Sequence, residues 1–430
     1  MNWLLKNGRL VDFSPLKIET RDLRIRDEKI AERGSNLPAA ADEHVLDLGG
    51  KCVLPGLVNA HTHLYSTLAR GMPSPASPPR NFFEILEKIW WRLDRALDEE
   101  SIYYSALIGA IEAVRCGTTT IIDHHASPGF VRGSLEIIGR ALSEVGIRGV
   151  LCYEVTDRGG DRERDLGLQA NEDFLRANES PLLRGLVGAH ASFTLSDASL
   201  AACVELAKTH HAGVHIHLAE DGCDADISLQ KYGRRNIVDH FARAGVLSRQ
   251  TLLAHGIHLS DADIDMIGAH QCWLLHNPRS NMNNHVGHAP VHKFGDRVAL
   301  GTDGFPSDMF SETRLAFFKG RDRANGLGAR EYLEFLHGGQ RLAAEIFAQP
   351  MGVLASGAVA DLIVLDYPAP TPVESANLAG HMVFGLKAEH VSAVMVAGQF
   401  LVGEGKVLGL DLERVYQQAR VAAQKLWLKL

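Results

Sequence analysis

Paired cysteines are the first thing this sequence lacks: its six, at positions 52, 116, 152, 203, 223 and 272, include no Cys-x-x-Cys. Thiolate metal sites and a disulfide framework are therefore poor fits, and a reducing compartment suits the chain. Long hydrophobic runs are missing as well. No apolar stretch reaches membrane-spanning length, and the opening Asn2-Trp3-Leu4-Leu5-Lys6 has no basic region followed by a longer apolar core. The expectation is a cytoplasmic protein with no membrane partner. Basic residues are outnumbered, 44 Lys and Arg against 52 Asp and Glu, for a net charge of −8. With no dense basic stripe, a nucleic-acid polymer is not the expected partner. No internal repeat divides the chain. What remains is 46% hydrophobic and 22% charged over 430 residues. That is the balance of a globular protein with a large core, at a length that a barrel with a small accessory domain accommodates.

Pattern divides the chain further. Residues 1 to about 57 carry short alternating runs with turn signals, Leu4-Leu5 before Asn7-Gly8 and Leu23-Arg24-Ile25 before Asp27-Glu28, which suit antiparallel strands. Residues from about 351 to 410 behave alike, with Asp361-Leu362-Ile363-Val364-Leu365 and with Ala393-Val394-Met395-Val396 before Ala397-Gly398. Neither end is large enough for its own core, and pairing the two solves that. Between them, over residues 58–350, helical stretches such as Ser105 to Val114 alternate with strand candidates such as Thr118 to Ile122. This is the rhythm of a βα barrel. Residues 411–430 lack Gly and Pro and read as a closing helix.

Against these absences stands histidine, 21 residues of it. The run Pro55-Gly56-Leu57-Val58-Asn59-Ala60-His61-Thr62-His63 ends in two imidazoles one residue apart. On a strand, i and i+2 share a face, so both can reach one ion at about 2.0 to 2.1 Å. Such a pair also arises by chance, and hydrogen-bonded histidines are the plain alternative. Four more apolar runs end in a ligand or proton carrier: Val214-His215-Ile216-His217-Leu218-Ala219-Glu220, Leu252-Leu253-Ala254-His255-Gly256, Trp273-Leu274-Leu275-His276-Asn277-Pro278 and Val298-Ala299-Leu300-Gly301-Thr302-Asp303-Gly304. Groups at the C-terminal ends of barrel strands converge on one site.

Five motifs in this order, PGLVNAHTH, HLAE, LAHG, HNPRSN and LGTDG, together with Gly352-Val353-Leu354 to Ala360-Asp361-Leu362, resemble the amidohydrolase superfamily in its cytosine deaminase and chlorohydrolase-like branch. The segments Gly380-His381 to Phe384-Gly385-Leu386 and His390-Val391 to Met395-Val396 most resemble the SsnA-type aminohydrolases, whose substrate the resemblance does not supply. The resemblance covers nearly the whole chain. It implies a (β/α)8 TIM-like barrel at 58–350 and a small β-sandwich built from both chain ends, 1–57 and 351–410.

The resemblance also assigns roles. His61, His63, His217 and Asp303 would hold one divalent ion, zinc by preference, with iron fitting the same ligands. Such an ion can lower the pKa of a bound water from about 15.7 to about 7, which makes hydroxide available at neutral pH. Glu220 would relay a proton to a substrate ring nitrogen, Asp303 would take the water proton, and His255 would orient the hydroxide. The implied reaction is hydrolytic deamination of a small nitrogen heterocycle, a cyclic amidine of purine, pyrimidine or pterin type. Removal of chloride from a triazine-like ring uses the same chemistry, and a catalytically silent metal-binding or assembly protein is the alternative outside catalysis. Partners are the heterocycle and water. Closely related enzymes are often homo-oligomers, which leaves that state open here.

Several positions allow two readings. His124 and His125 after Asp123, His190 after Ala189, and Ser280 are the candidate substrate contacts, although a strand-end histidine is as often a hydrogen-bonded filler. His276 and Asn277 can simply build a loop. No lysine occurs between Lys88 and Lys208, so the carboxylated lysine that bridges two metals in dihydropyrimidinase-like relatives has no donor on the fourth strand. A mononuclear site follows. The chain departs from its relatives at Asn283-Asn284-His285-Val286-Gly287-His288 and at Gly304-Phe305-Pro306-Ser307-Asp308, which touches specificity more than metal chemistry. Pro73-Ser74-Pro75-Ala76-Ser77-Pro78-Pro79 reads as an extended connector rather than a lid. Trp90 and Trp91 read as helical core residues.

Overall fold

The structure, a computed structural model, describes residues 2–324 and 326–430. Eight parallel strands form the central sheet in sequence order: Leu57–Thr62, Thr118–His125, Arg148–Val155, Val187–Ala191, Val214–Leu218, Leu252–His255, Trp273–His276 and Val298–Leu300. Every residue in these strands is buried. Helices cover the outside, as they must when a parallel sheet is apolar on both faces. A further short strand, Leu183–Gly185, lies beside the third.

Closure joins the first strand to the eighth. Thr62 bridges Asp303, and the backbone N–H groups of Thr302 and Asp303 both donate to the carbonyl of His61, at 2.8 and 2.9 Å. Asn59 staples the same seam: its Nδ2 donates to Thr302 Oγ1 at 2.6 Å and Ser307 Oγ at 2.9 Å, while its Oδ1 accepts from Thr302 N at 3.0 Å. The asparagine of the first motif is thus a structural clasp beneath the site. Burial of such an amide is tolerated because its hydrogen-bonding capacity is met.

The two chain ends pair into one nine-stranded sheet. Cys52–Pro55 is the meeting point, antiparallel to Leu362–Leu365 and parallel to Trp3–Phe13. Leu10, Leu23, Ile25, Val53, Leu362 and Val364 form the apolar layer of this sheet. A buried ion pair ties it to the barrel: Arg148 Nε, on the third barrel strand, sits 2.6 Å from Asp361 Oδ2. Asp27-Glu28 does form the turn of a hairpin between Leu16–Arg26 and Lys29–Gly34. Asn7-Gly8 does not. It is a bulge inside the single strand Trp3–Phe13, with Asn7 at φ 57° and the register shifting between Leu5 and Gly8. An Asn-Gly pair supplies left-handed backbone, which serves a bulge as well as a turn. The closing helix Leu412–Trp427 is anchored by Trp427 Nε1, which donates to Leu68 O at 2.8 Å.

No helix among the described residues is long and apolar enough to cross a membrane.

Candidate active site

The C-terminal ends of the strands open into a cavity of about 730 Å³, mouth included. At its floor, four side chains from two strand ends and one turn, His61 and His63, His217, and Asp303, face one another. His63 Nε2 lies 3.0 Å from Asp303 Oδ1 and 3.3 Å from His217 Nε2; His61 Nε2 lies 3.8 Å from Asp303 Oδ1. Each ring is fixed by its other nitrogen. His63 Nδ1 donates to His124 O at 2.6 Å and His217 Nδ1 donates to His190 O at 2.9 Å. Since a carbonyl only accepts, both Nε2 atoms of the neutral rings are bare lone pairs. His61 Nδ1 lies 2.9 Å from His215 Nε2, and His61 Nε2 is buried without a hydrogen-bond partner among the described residues. Three bare nitrogens around one carboxylate are a donor set that suits a divalent ion, and anchored second nitrogens are how such ligands are aimed. Burial opposes charge on His63, but the Asp303 carboxylate overrides it and holds the imidazole up at about 9, so an ion binding at Nε2 has to displace a proton from this ring.

Beside this set stand the proton carriers. Glu220 follows the fifth strand, and its Oε2 is 3.5 Å from His255 Nε2. His255 Nε2 is also 3.9 Å from Asp303 Oδ2 and has no hydrogen-bond partner among the described residues. Burial, and then the charge of Asp303, push the Glu220 carboxyl well above the usual range. Ser280 Oγ donates to Asp303 Oδ2 at 2.5 Å, Asn281 Oδ1 fixes His255 Nδ1 at 2.9 Å, and Asn284 Nδ2 reaches Glu220 Oε1 at 3.4 Å. Three residues of the site take left-handed backbone although none is glycine: Ala219 at φ 48°, His255 at 78° and Asp303 at 53°. Strain of this kind persists where the surroundings over-determine it, as at functional sites.

The candidate substrate contacts separate. His190 and Ser280 line the cavity; His124 and His125 do not. Neighbours on a strand point to opposite faces, so one cavity cannot receive both. His124 turns inward behind the donor set, with Nε2 donating to His215 O at 3.1 Å, and His125 turns outward to Ser127 Oγ at 2.9 Å. Ser280, for its part, spends its hydroxyl proton on Asp303. Trp90 and Trp91 pack against the core and also face the cavity. Both are partly exposed and line the cavity with Phe82, Leu86, Phe193 and Phe305. None of residues 73–79 lines it, whereas Asn283, Asn284, Gly304 and Phe305 from the atypical segments do.

Three polar groups escaped the sequence reading. Glu154, at the end of the third strand, lies 3.3 Å from His124 Nδ1 and 3.7 Å from His190 Nε2. Asp94 lines the same wall, 2.9 Å from Arg158 Nη2. His215 props His61 from behind. Only His215 carried a usable signal, since the period of two that places His217 inward places His215 inward too.

Residues 52–401 match the amidohydrolase family. The chain is 30% identical over 412 residues to a 5-methylthioadenosine/S-adenosylhomocysteine deaminase of Thermococcus sibiricus, covering 94% of each. It is 30% identical to a 5'-deoxyadenosine deaminase of Methanosarcina acetivorans, covering 98% of each. An adenosine deaminase of Xanthomonas campestris with bound zinc has the same fold, with a TM-score of 0.85 at 21% identity, covering 99% of this chain and 98% of that one. So does an atrazine chlorohydrolase of Arthrobacter aurescens complexed with zinc, with a TM-score of 0.83 at 21% identity, covering 98% and 100%.

Proposed function

Since the chain belongs to the amidohydrolase family, we propose that it is a mononuclear, metal-dependent deaminase of a small nitrogen heterocycle, working in the cytoplasm on a small molecule and water. The observation that carries this is the convergence of His61, His63 and His217 nitrogens on Asp303, with Glu220 and His255 beside them. The relatives at 30% identity are named as deaminases, which favours loss of ammonia over loss of chloride. The intact Glu220 and His255 geometry favours catalysis over an assembly role.

His61, His63, His217 and Asp303 would hold the ion, with zinc the first choice and iron fitting the same donors. When bound, it supplies a Lewis acid that makes water nucleophilic at neutral pH. Asp303, held in place by Ser280, accepts the proton that water gives up. His255, anchored by Asn281, hydrogen-bonds the attacking oxygen and orients it. Glu220 donates its proton to the ring nitrogen beside the amino-bearing carbon, which makes that carbon electrophilic. Water oxygen then adds to the carbon, the proton held by Asp303 passes to the departing amino nitrogen, Glu220 takes up the proton of the added hydroxyl, and the C–N bond breaks to give ammonia and a ring carbonyl, with both carboxyls back in their starting states. Trp90, Trp91 and Phe193 enclose the flat ring. The test is ammonia release across purines, pyrimidines and pterins, with chloride release from a chlorotriazine as the control. Chloride release without ammonia would replace this reading.

A further inference from the structure

Five carboxylates line the cavity, those of Asp94, Glu154, Glu220, Asp224 and Asp303, and among the described residues no lysine or arginine lines it. Asp303, Glu220 and its neighbour Asp224 belong to the catalytic side. Asp94 and Glu154 do not. They sit together through Arg158, whose Nη2 lies 2.9 Å from Asp94 Oδ2 and 3.5 Å from Glu154 Oε1. Arg158 itself does not line the cavity; it lies behind the wall, stacked at 4.8 Å on Trp91. Asp94 is only 1% exposed, and its Oδ1 is buried with no hydrogen-bond partner among the described residues. A buried acceptor left unpaired costs stability unless something supplies a donor. His190 adds another acceptor: Thr194 Oγ1 donates to Ala191 O, so it accepts from His190 Nδ1 at 2.6 Å, and His190 Nε2 is left as a lone pair.

We propose that Asp94 and Glu154, with His190 Nε2, form an acceptor subsite that takes ring N–H, amino or hydroxyl donors from an uncharged or cationic substrate and turns away substrates bearing a carboxylate or phosphate. This rests on the deaminase reading and sharpens it. Arg158 behind the wall balances one of the two carboxylates, so with both ionised the pair keeps a net negative charge that repels a guest of like charge where water is excluded, and no lysine or arginine among the described residues faces the guest from the wall. The subsite therefore sets this chain apart from any enzyme whose substrate carries an anion, whatever ring both share.

The experiment uses zinc-loaded enzyme and matched pairs: pterin with pterin-6-carboxylate, adenosine with adenosine 5'-monophosphate, cytosine with 5-carboxycytosine. Among turned-over pairs, kcat/KM for the neutral member is expected to exceed that of the anionic one by at least about a hundredfold. In Asp94→Asn/Glu154→Gln the ratio is expected to collapse by about tenfold or more, with KM for the neutral member rising more than kcat falls. An anion turned over within tenfold of its neutral partner overturns the subsite. So does an unchanged ratio in the double variant, whose melting temperature checks that it folds. If no pair releases ammonia, the deaminase reading fails separately, and calorimetric binding of the same pairs to wild-type enzyme decides the subsite. Tighter binding of neutral members upholds it; equal binding, tighter anions or no binding by any member overturns it.

Discussion

On the inner wall of the cavity each ring is fixed by a bond to something rigid, His63 to the carbonyl of His124, His217 to that of His190 and His255 to Asn281. On the outer wall, Phe82, Leu86, Trp90 and Trp91 rest on packing, and Asp94 keeps one oxygen unpartnered. The inner wall grows from barrel strands. Much of the outer one comes from the excursion between the first and second strands. Chemistry demands placement within a fraction of an ångström, which strands and second hydrogen bonds supply; recognition needs only shape and matching polarity. Damage to the inner wall should abolish function, and change in the outer wall should redirect it.

The sharpest break comes at the inner wall. His217→Ala is expected to remove both the ion and turnover, while wild-type protein carries about one divalent ion per chain. Elemental analysis of the purified proteins checks this. Two ions in the wild type would overturn the mononuclear site, a real risk because His63, His124 and Glu154, and again Glu154, His190 and His217, also lie close enough to share a cation. Glu220→Gln separates binding from chemistry within the same wall. It preserves shape and removes the proton carrier, so metal content should hold while kcat falls by a factor of roughly 10² to 10⁴. Near-normal turnover would take Glu220 out of the mechanism.

The inner wall was also the legible one. Each donor ends an apolar run short enough to be a strand, and His61 with His63 shows the period of two in three residues. The barrel rhythm and the pairing of the chain ends could be read in the same way, from alternation and from segments too small to stand alone. The outer wall left no such trace. Trp90, Trp91 and Asp94 lie on short helical turns between Phe82 and Ala96, where an aromatic pair looks the same whether it faces a core or a cavity. Glu154 is one acid after Leu151-Cys152-Tyr153, and only barrel closure reveals that it meets His124 and His190. His124 and His125 part for a related reason: at a strand end both are candidate contacts, but a pleated strand sends neighbours to opposite faces and neither lines the cavity.

A subtler test lies between the walls. His215 does not line the cavity, yet its Nε2 is the one anchor found for His61 Nδ1 among the described residues. His215→Ala should weaken metal binding by about 10 to 100-fold, the usual cost of losing such a support. Competition against a chelator reads this directly. An affinity equal to wild type would mean that packing alone aims His61, and the contrast between a bonded wall and a packed wall would lose one of its supports.

The smallest expected effect concerns Asp94. Burial raises its carboxyl pKa to about 7, against the opposing pull of Arg158. Below pH 7 Asp94 therefore carries a proton, and one of its oxygens is a donor rather than an acceptor. Above pH 7 it is ionised and accepts more strongly from a donor-rich ring. The sign follows: as pH rises from about 6 to 8, kcat/KM for a neutral substrate should gain a contribution of a few-fold from Asp94. Glu220 and the attacking water titrate too, so the wild-type profile alone does not isolate this group. The ratio of wild-type to Asp94→Asn kcat/KM does, because the asparagine has no proton to lose while everything on the inner wall stays the same. That ratio should climb through about pH 7 and level off. A flat ratio would mean that Asp94 does not touch the substrate, and that the outer wall selects by shape alone.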